Sequence, residues 1–301
     1  MEHKGDAMEI SASVVKQLRE KTGVGMMECK GALVESKGDL AEAEKILRKK
    51  GLAAAAHKAG RATGEGIVAA QVAPGGQSAV LVEMNCETDF AARGADFQKL
   101  VQAAIDAALA RGRATAGSAA EASDTEALLD APGADSRSLR QTIGEAVGKI
   151  GENMQLRRFV KFERQGASSV LASYIHTGGK IGVLVEAETK APGAAADTLL
   201  RDVAMHIAAA APKFVRREDV AAKVLDLERE IAREQAEKSG KPPQVVEKIV
   251  AGRLEKYFGE ICLLEQPFVK DPEKTVKQHL GEATTVRRFA RFVLGEGPSA
   301  S

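Results

Sequence analysis

The residues that could do chemistry in this chain mostly fail on spacing. Gly178-Gly179-Lys180-Ile181-Gly182 sets glycines before a lysine, as a phosphate-cradling loop does, but the Gly-x4-Gly-Lys-Ser/Thr pattern is absent. Thr22-Gly23-Val24-Gly25 lacks the preceding strand that a dinucleotide site requires. His176 stands beside a glycine pair, a setting more typical of a surface histidine than of a catalyst, and His206 adjoins Met205 in an apolar helical run. Cys29, Cys86 and Cys262 are too scattered for a zinc pattern or a disulfide framework and fit reduced thiols in a cytosol. No Ser/His/Asp spacing and no paired carboxylates stand out. The chain therefore reads as a multi-module binding protein with no bond-making chemistry, no metal and no cofactor. One stretch stands apart. Thr88-Asp89-Phe90 places a charge beside an aromatic ring at the end of the apolar run SAVLVEM, in a chain with nine Phe, two Tyr and no Trp.

Composition narrows the partners. Lys+Arg number 43 and Asp+Glu 42 in 301 residues, a net charge of +1, which argues against nucleic-acid binding through a general basic field. No apolar run reaches the roughly 18 residues of a membrane span, and the polar start MEHKGDAMEI is unlike a signal peptide. Cytoplasmic localisation is expected. Met8 is an alternative start, which would make residues 1–7 a loose extension. The length suggests two or three compact units.

The elements that must position these residues follow from pattern. Residues 10–50 read as three short helices: Ser11 or Ser13 caps the first, Gly23 and Gly25 break it, Gly38 ends the second, and Asp39 caps the third. LAAAAHKAGRATGEG then serves as a link. Residues 67–83 (IVAAQVAPGGQSAVLVE) and 170–186 (VLASYIHTGGKIGVLVE) align without gaps and share Ala, Gly-Gly and Val-Leu-Val-Glu at corresponding places. Each copy is two apolar runs around a Gly-Gly turn, a β-hairpin signature, and each is followed by an amphipathic helix. Residues 113–135 read as a loose connection with one helical turn. SRSLRQTIGEAVGKIGEN reads as helix, and MQLRRFVKFE, EICLLEQPFV and TVRRFARFVLGEG read as strands. In 219–257, Val220, Val224, Leu227 and Ile231 fall at coiled-coil spacing, and Val246, Val250 and Leu254 repeat every four residues beyond the turn SGKPPQ. An antiparallel helical hairpin is expected there.

The two copies differ after the hairpin. Where copy one has Glu87-Thr88-Asp89-Phe90, copy two has Lys190-Ala191-Pro192-Gly193. Two readings of Phe90 stand: it folds back over its own hairpin, or copy one carries a protruding tip for a partner, since exposed aromatics make good interface anchors.

Several of these stretches occur together, and in order, in one known family. LREKTGVGMMECKGAL, NCETDF, KIGENMQLRRF, GKIGVLVE, AMHIAAAAPKFV, SGKPPQVVEKIVAGRLEKYFGEICLLEQPFV and RFVLGEG together resemble bacterial elongation factor Ts, from Met8 to Gly297. The resemblance implies an α+β protein: an N-terminal three-helix domain like the ubiquitin-associated fold (8–55), a core subdomain (62–150), a second related core subdomain (151–218 with 258–297), and an inserted coiled-coil hairpin (219–257). It implies a guanine nucleotide exchange factor acting on elongation factor Tu, both GDP-bound and nucleotide-free, with no direct nucleic-acid or membrane partner. By analogy, Asp89 and Phe90, presented with Thr88, are pushed toward the partner's magnesium and nucleotide site. Arg19, Met26, Met27 and Lys30 match positions at the N-terminal contact, His176 matches a core position facing the partner's third domain, and Val269 lies in a segment contributing to binding. The chain departs from the family's well-studied members in ending at GEGPSAS, where they continue into a helical module, and in matching poorly over 113–135. Against this reading stand an adaptor or chaperone that binds peptides or proteins through the three-helix unit, and a small-molecule enzyme acting between the two copies.

Overall fold

The computed structural model describes residues 10–111, 122–133, 137–190, 193–238, 240 and 242–297; residues 1–9 with Met8, 113–121 and 134–135 of the 113–135 connection, Ala191-Pro192, and Ser239 and Lys241 of the hairpin turn lie outside them. In chain order the elements are α1 (Ala12–Thr22), α2 (Met26–Glu35), α3 (Leu40–Lys58), β1 (Glu65–Val72), β2 (Ser78–Cys86), α4 (Asp89–Arg93), α5 (Ala95–Ala110), α6 (Ala122–Asp130), α7 (Leu139–Ile150), β3 (Met154–Glu163), β4 (Ser169–Ile175), β5 (Ile181–Thr189), α8 (Ala194–Ala210), α9 (Ala222–Glu237), α10 (Pro243–Ile261), β6 (Pro267–Phe268), β7 (Asp271–Thr275), α11 (Val276–Leu280) and β8 (Thr284–Val293). Helices and antiparallel sheet make this an α+β chain. It divides into two compact units, one holding residues up to 69, 82–160 and 294 onward, the other 70–81 and 161–293.

In the first unit the N-terminal helices form where their caps are. Ser11 accepts from the Val14 N–H. Gly23, at φ 69°, ends α1 with its N–H on the Arg19 carbonyl. The Gly38 N–H closes α2 on the Leu33 carbonyl at 2.8 Å, and Asp39 starts α3 by accepting from the Glu42 N–H at 2.9 Å. Val15, Leu18, Cys29, Ala32, Leu33, Ala43 and Leu47 form their shared core. The expectation that the third helix stops near residue 50 is corrected, because α3 runs on to Lys58. Gly51 marks a close helix crossing and not a break. A Cβ on it would lie 3.0 Å from the Gly144 carbonyl oxygen, and one on Gly148 would lie 3.0 Å from the Gly51 Cα. The glycines let α3 and α7 approach backbone to backbone. In the 113–135 segment, α6 is longer than the single turn expected.

β2 is central in the sheet β1-β2-β3, and β5 is central in the sheet β4-β5-β8. Each central strand carries a fully buried glutamate. Glu83 receives the Arg158 Nε–H at 2.6 Å and the Gly295 N–H at 2.8 Å. Glu186 receives the Arg288 Nε–H at 2.6 Å, the Ser169 hydroxyl at 2.6 Å and the Gln165 N–H at 3.1 Å. Burying these charges is tolerated because each is paired and fully bonded. In the second unit, Val183, Val185 and Ala187 of β5 pack on Leu200, Val203, Ala204 and Ile207 of α8.

Two expectations in the second unit are corrected. EICLLEQPFV is not one strand: α10 continues to Ile261, a 3-10 turn spans Leu263–Glu265, and a short strand covers Pro267–Phe268. Ahead of Pro267 its β pairing is limited to an isolated parallel bridge between Cys262 and Phe214, with the Leu263 and Leu264 N–H groups on the Phe214 and Val215 carbonyls at 2.9 and 3.0 Å. The helical hairpin exists, but its seam differs. Ala232 and Ala236 of α9 pack on Val246 and Val250 of α10, while Leu227 and Ile231 are exposed. Alanines admit a closer helix approach than the bulky residues whose spacing suggested a seam. Val220, Val224 and Leu225 pack lower down, with Tyr257, Phe258, Ile261 and Cys262 at the hairpin base.

Candidate functional site

The tip is built where β2 runs out. Met84, Asn85 and Cys86 are buried, and the Asn85 side-chain amide holds the Thr63 carbonyl at 3.1 Å. Thr88 then leaves the strand in extended geometry and caps α4, accepting from the Ala91 N–H at 3.2 Å through its Oγ1. Ala91 and Ala92 are buried and hold the inner side of this short helix. Phe90 points the other way and is 86% exposed. The reading in which it folds back over its hairpin does not hold. Asp89 accepts from Arg93 Nη2 at 3.0 Å.

The loop between α7 and β3 grips the base of the tip. Gly151, at φ 88°, ends α7 in the left-handed region, and its carbonyl receives Lys58 Nζ at 2.7 Å. Glu152 accepts the Thr88 N–H at 3.0 Å on one carboxylate oxygen and the Thr88 hydroxyl at 2.7 Å on the other. The Asn153 N–H donates to Glu87 Oε1 at 2.6 Å, and Arg61 Nη1 donates to the same oxygen at 3.3 Å. The Asn153 side chain holds the Arg61 carbonyl at 2.9 Å. The Asn153 N–H, with Arg61 beside it, holds the Glu87 carboxyl below the usual carboxylate range.

Of the other residues singled out by sequence, Arg19 is exposed in the last turn of α1, and Met26, Met27 and Lys30 are exposed on the first turns of α2. They belong to the same unit as the tip. In the second unit His176 is exposed at the β4–β5 turn with its Nδ1 3.1 Å from the Tyr174 hydroxyl. Val269, 47% exposed, sits between β6 and β7, and its N–H donates to His206 Nδ1 at 3.2 Å. In the second copy, Lys190 bonds the Ala283 carbonyl at 2.9 Å and α8 begins at Ala194 with no side-chain cap. Sequence reasoning missed Glu87, Arg61, Glu152 and Asn153 as supports of the tip. Glu152 and Asn153 lie in KIGEN, but nothing local to that run points at Thr88, 64 residues away.

The family model described as Elongation factor TS matches residues 87–296, which include Phe90 and the whole second hairpin. The chain belongs to the elongation factor Ts family. It is 48% identical to "Elongation factor Ts" of Trichlorobacter lovleyi over 96% of this chain and 94% of that protein. It is 48% identical to that of Syntrophotalea carbinolica, with the same shares covered. Against that of Prosthecochloris aestuarii the identity is 46%, over 95% of this chain and 99% of the relative. The family places the chain in translation elongation. Among the described residues no helix is long and apolar enough to cross a membrane, and no group of three or more His, Cys, Asp or Glu is placed to hold a metal ion.

Proposed function

We propose that this chain is a guanine nucleotide exchange factor for elongation factor Tu, and that it acts without making or breaking a bond. Membership of the elongation factor Ts family supports the partner and the process. The observation that carries the mechanism is Phe90, an aromatic ring left 86% exposed at the start of a helix whose inner side is anchored. Presented with Thr88 and Asp89, that ring wedges apart the partner groups that hold magnesium and the β-phosphate. Magnesium neutralises much of the phosphate charge, so disturbing it loosens GDP. GTP then rebinds and expels the factor. Exchange requires unequal affinity for the partner's two states, and the coupling is reciprocal: GDP must weaken this chain's binding by the factor that this chain weakens GDP's.

In this reading residues 8–55 form a three-helix module that contacts the partner through Arg19, Met26, Met27 and Lys30. Residues 62–150, and 151–218 with 258–297, are related core subdomains that present the tip, His176 and Val269, and 219–257 are an inserted hairpin. The test is release of fluorescent GDP from purified elongation factor Tu. Release accelerated by catalytic amounts of this chain supports exchange, whereas unchanged release together with tight peptide binding by the three-helix module would favour an adaptor.

A further inference from the structure

A five-residue helix does not hold its own shape. Its first turn has N–H groups without helical partners, and its orientation must come from what fixes its cap. In α4 the cap is Thr88, whose hydroxyl has one proton and must both donate and accept. The proton is committed to Glu152 Oε1 at 2.7 Å, which leaves a lone pair directed at the Ala91 N–H at 3.2 Å. The Thr88 N–H, which no helical carbonyl can take, is committed to Glu152 Oε2 at 3.0 Å. One carboxylate thus sets both the backbone and the hydroxyl rotor of the residue before Asp89.

Glu152 is itself held on both sides. Gly151 is tied to Lys58, and Asn153 to Glu87 and to the Arg61 carbonyl. The exchange is reciprocal across the two segments: the side chain of 87 takes the backbone of 153, and the side chain of 152 takes the backbone of 88. We infer that Glu152 is a positioning residue for exchange: by accepting both Thr88 donors it holds the first turn of α4 in the orientation that offers Asp89 and Phe90 to the partner. This rests on the tip reading proposed above. A glutamine fits the same space but has one acceptor oxygen, so it turns an amide N–H toward one of the two Thr88 donors. The contact is solvent-exposed, so its loss changes global stability little while freeing the tip.

The experiment compares Glu152→Gln, Glu152→Ala, Phe90→Ala and the Glu152→Ala/Phe90→Ala double variant in the full chain. It measures fluorescent GDP release from elongation factor Tu, amide hydrogen exchange over residues 88–93, and melting temperature. For Glu152→Ala, amide exchange over 88–93 should speed up about tenfold. If the competent tip conformer becomes about tenfold rarer, the maximal rate of GDP release falls about tenfold. The half-saturating concentration should move less than about twofold, since the contacts of α1 and α2 persist, and melting should stay within about 2 °C. Glu152→Gln should lie between Glu152→Ala and the parent chain. In the Phe90→Ala background, Glu152→Ala should cost less than about a further twofold, because a misplaced tip without its ring has little left to lose. Unchanged amide exchange, or a parental maximal rate in Glu152→Ala, overturns the inference. So do defects that multiply fully with Phe90→Ala, because Glu152 would then act elsewhere. A parental rate in Phe90→Ala alone would refute the tip reading and the role given to Glu152, while amide exchange would still report whether the bracket orders α4.

Discussion

Asp89 and Arg93 are paired across one turn of α4, Oδ2 to Nη2 at 3.0 Å, with both side chains largely in solvent. The carboxylate proposed to reach the partner's magnesium site is therefore engaged before it arrives. An exposed pair of this kind is worth about 0.2–1 kcal/mol. Arg93→Ala should leave melting unchanged and raise exchange efficiency by up to about fivefold, the equivalent of 1 kcal/mol. Asp89→Ala should lower it. Titrations of GDP release against factor concentration check both; slower exchange in Arg93→Ala would mean that the arginine itself meets the partner.

Phe90→Ala separates presentation from folding. With the ring 86% exposed, the change should cost under ~0.5 kcal/mol of stability, against about 3–5 kcal/mol for a core phenylalanine. Exchange should fall roughly tenfold or more, as for a hot-spot aromatic worth at least ~2 kcal/mol. Urea melts and GDP release read the two effects independently. Early melting with parental exchange would reverse the assignment.

Much of this was legible in sequence, and the failures have physical reasons. MQLRRFVKFE reads as a strand and is β3. The paired glycines of both hairpins turn at positive φ, 80° and 66° at Gly75 and Gly76, 90° at Gly178, 68° at Gly179, as their type suggested. The α9 seam was misread because spacing says which residues share a face but not which face meets α10, and the small Ala232 and Ala236 carry no apolar signal to rival Leu227 and Ile231. The third helix is expected to end near residue 50, yet Gly51 lies inside α3, because a glycine that permits a helix crossing looks locally like one that ends a helix. A second repeat went unnoticed: Arg157-Arg158-Phe159 on β3 and Arg287-Arg288-Phe289 on β8 supply the arginines of the two buried glutamates. The grip of Glu152 on Thr88 had no local sign, since it exists only once β2 and the α7–β3 loop are brought together.

His206 gives the second unit a pH dependence. It is buried, its Nδ1 accepts the Val269 N–H, and Nε2 therefore carries the proton and donates to Gln266 Oε1 at 2.9 Å. Burial depresses its pKa below the ordinary imidazole value, with the Gln266 bond opposing. A depressed histidine contributes stability that is present above its unfolded pKa, about 6.5, and is lost as pH falls below that value toward the folded pKa. Melting temperature should drop between pH 7.5 and pH 5.5, and His206→Phe should start lower and lose most of that slope. Equal slopes in the two proteins would exclude His206 as the source.

The α3–α7 crossing should punish volume. Gly148→Val places atoms where the Gly51 backbone lies 3.0 Å from a Cβ, and overpacking of this kind costs about 1–3 kcal/mol. Gly31→Ala in α2 meets nothing within 4 Å and should stabilise by about 0.5–1 kcal/mol through helix propensity. Chemical melts of the two variants should move in opposite directions.

The helical hairpin carries its own small core above the base cluster. Replacing residues 226–254 with a short Gly/Ser linker should leave cooperative melting intact and weaken exchange. A broad, non-cooperative melt would place the hairpin in the folding core.

The glycine crossing of α3 on α7 also joins the N-terminal helices to the unit that bears the tip. Met27 and Phe90 are borne by that one unit, so on the proposed reading both contacts travel on one body. A linker would let one contact form and then search for the other. On the proposed reading, a partner that fits both Met27 and Phe90 meets them together.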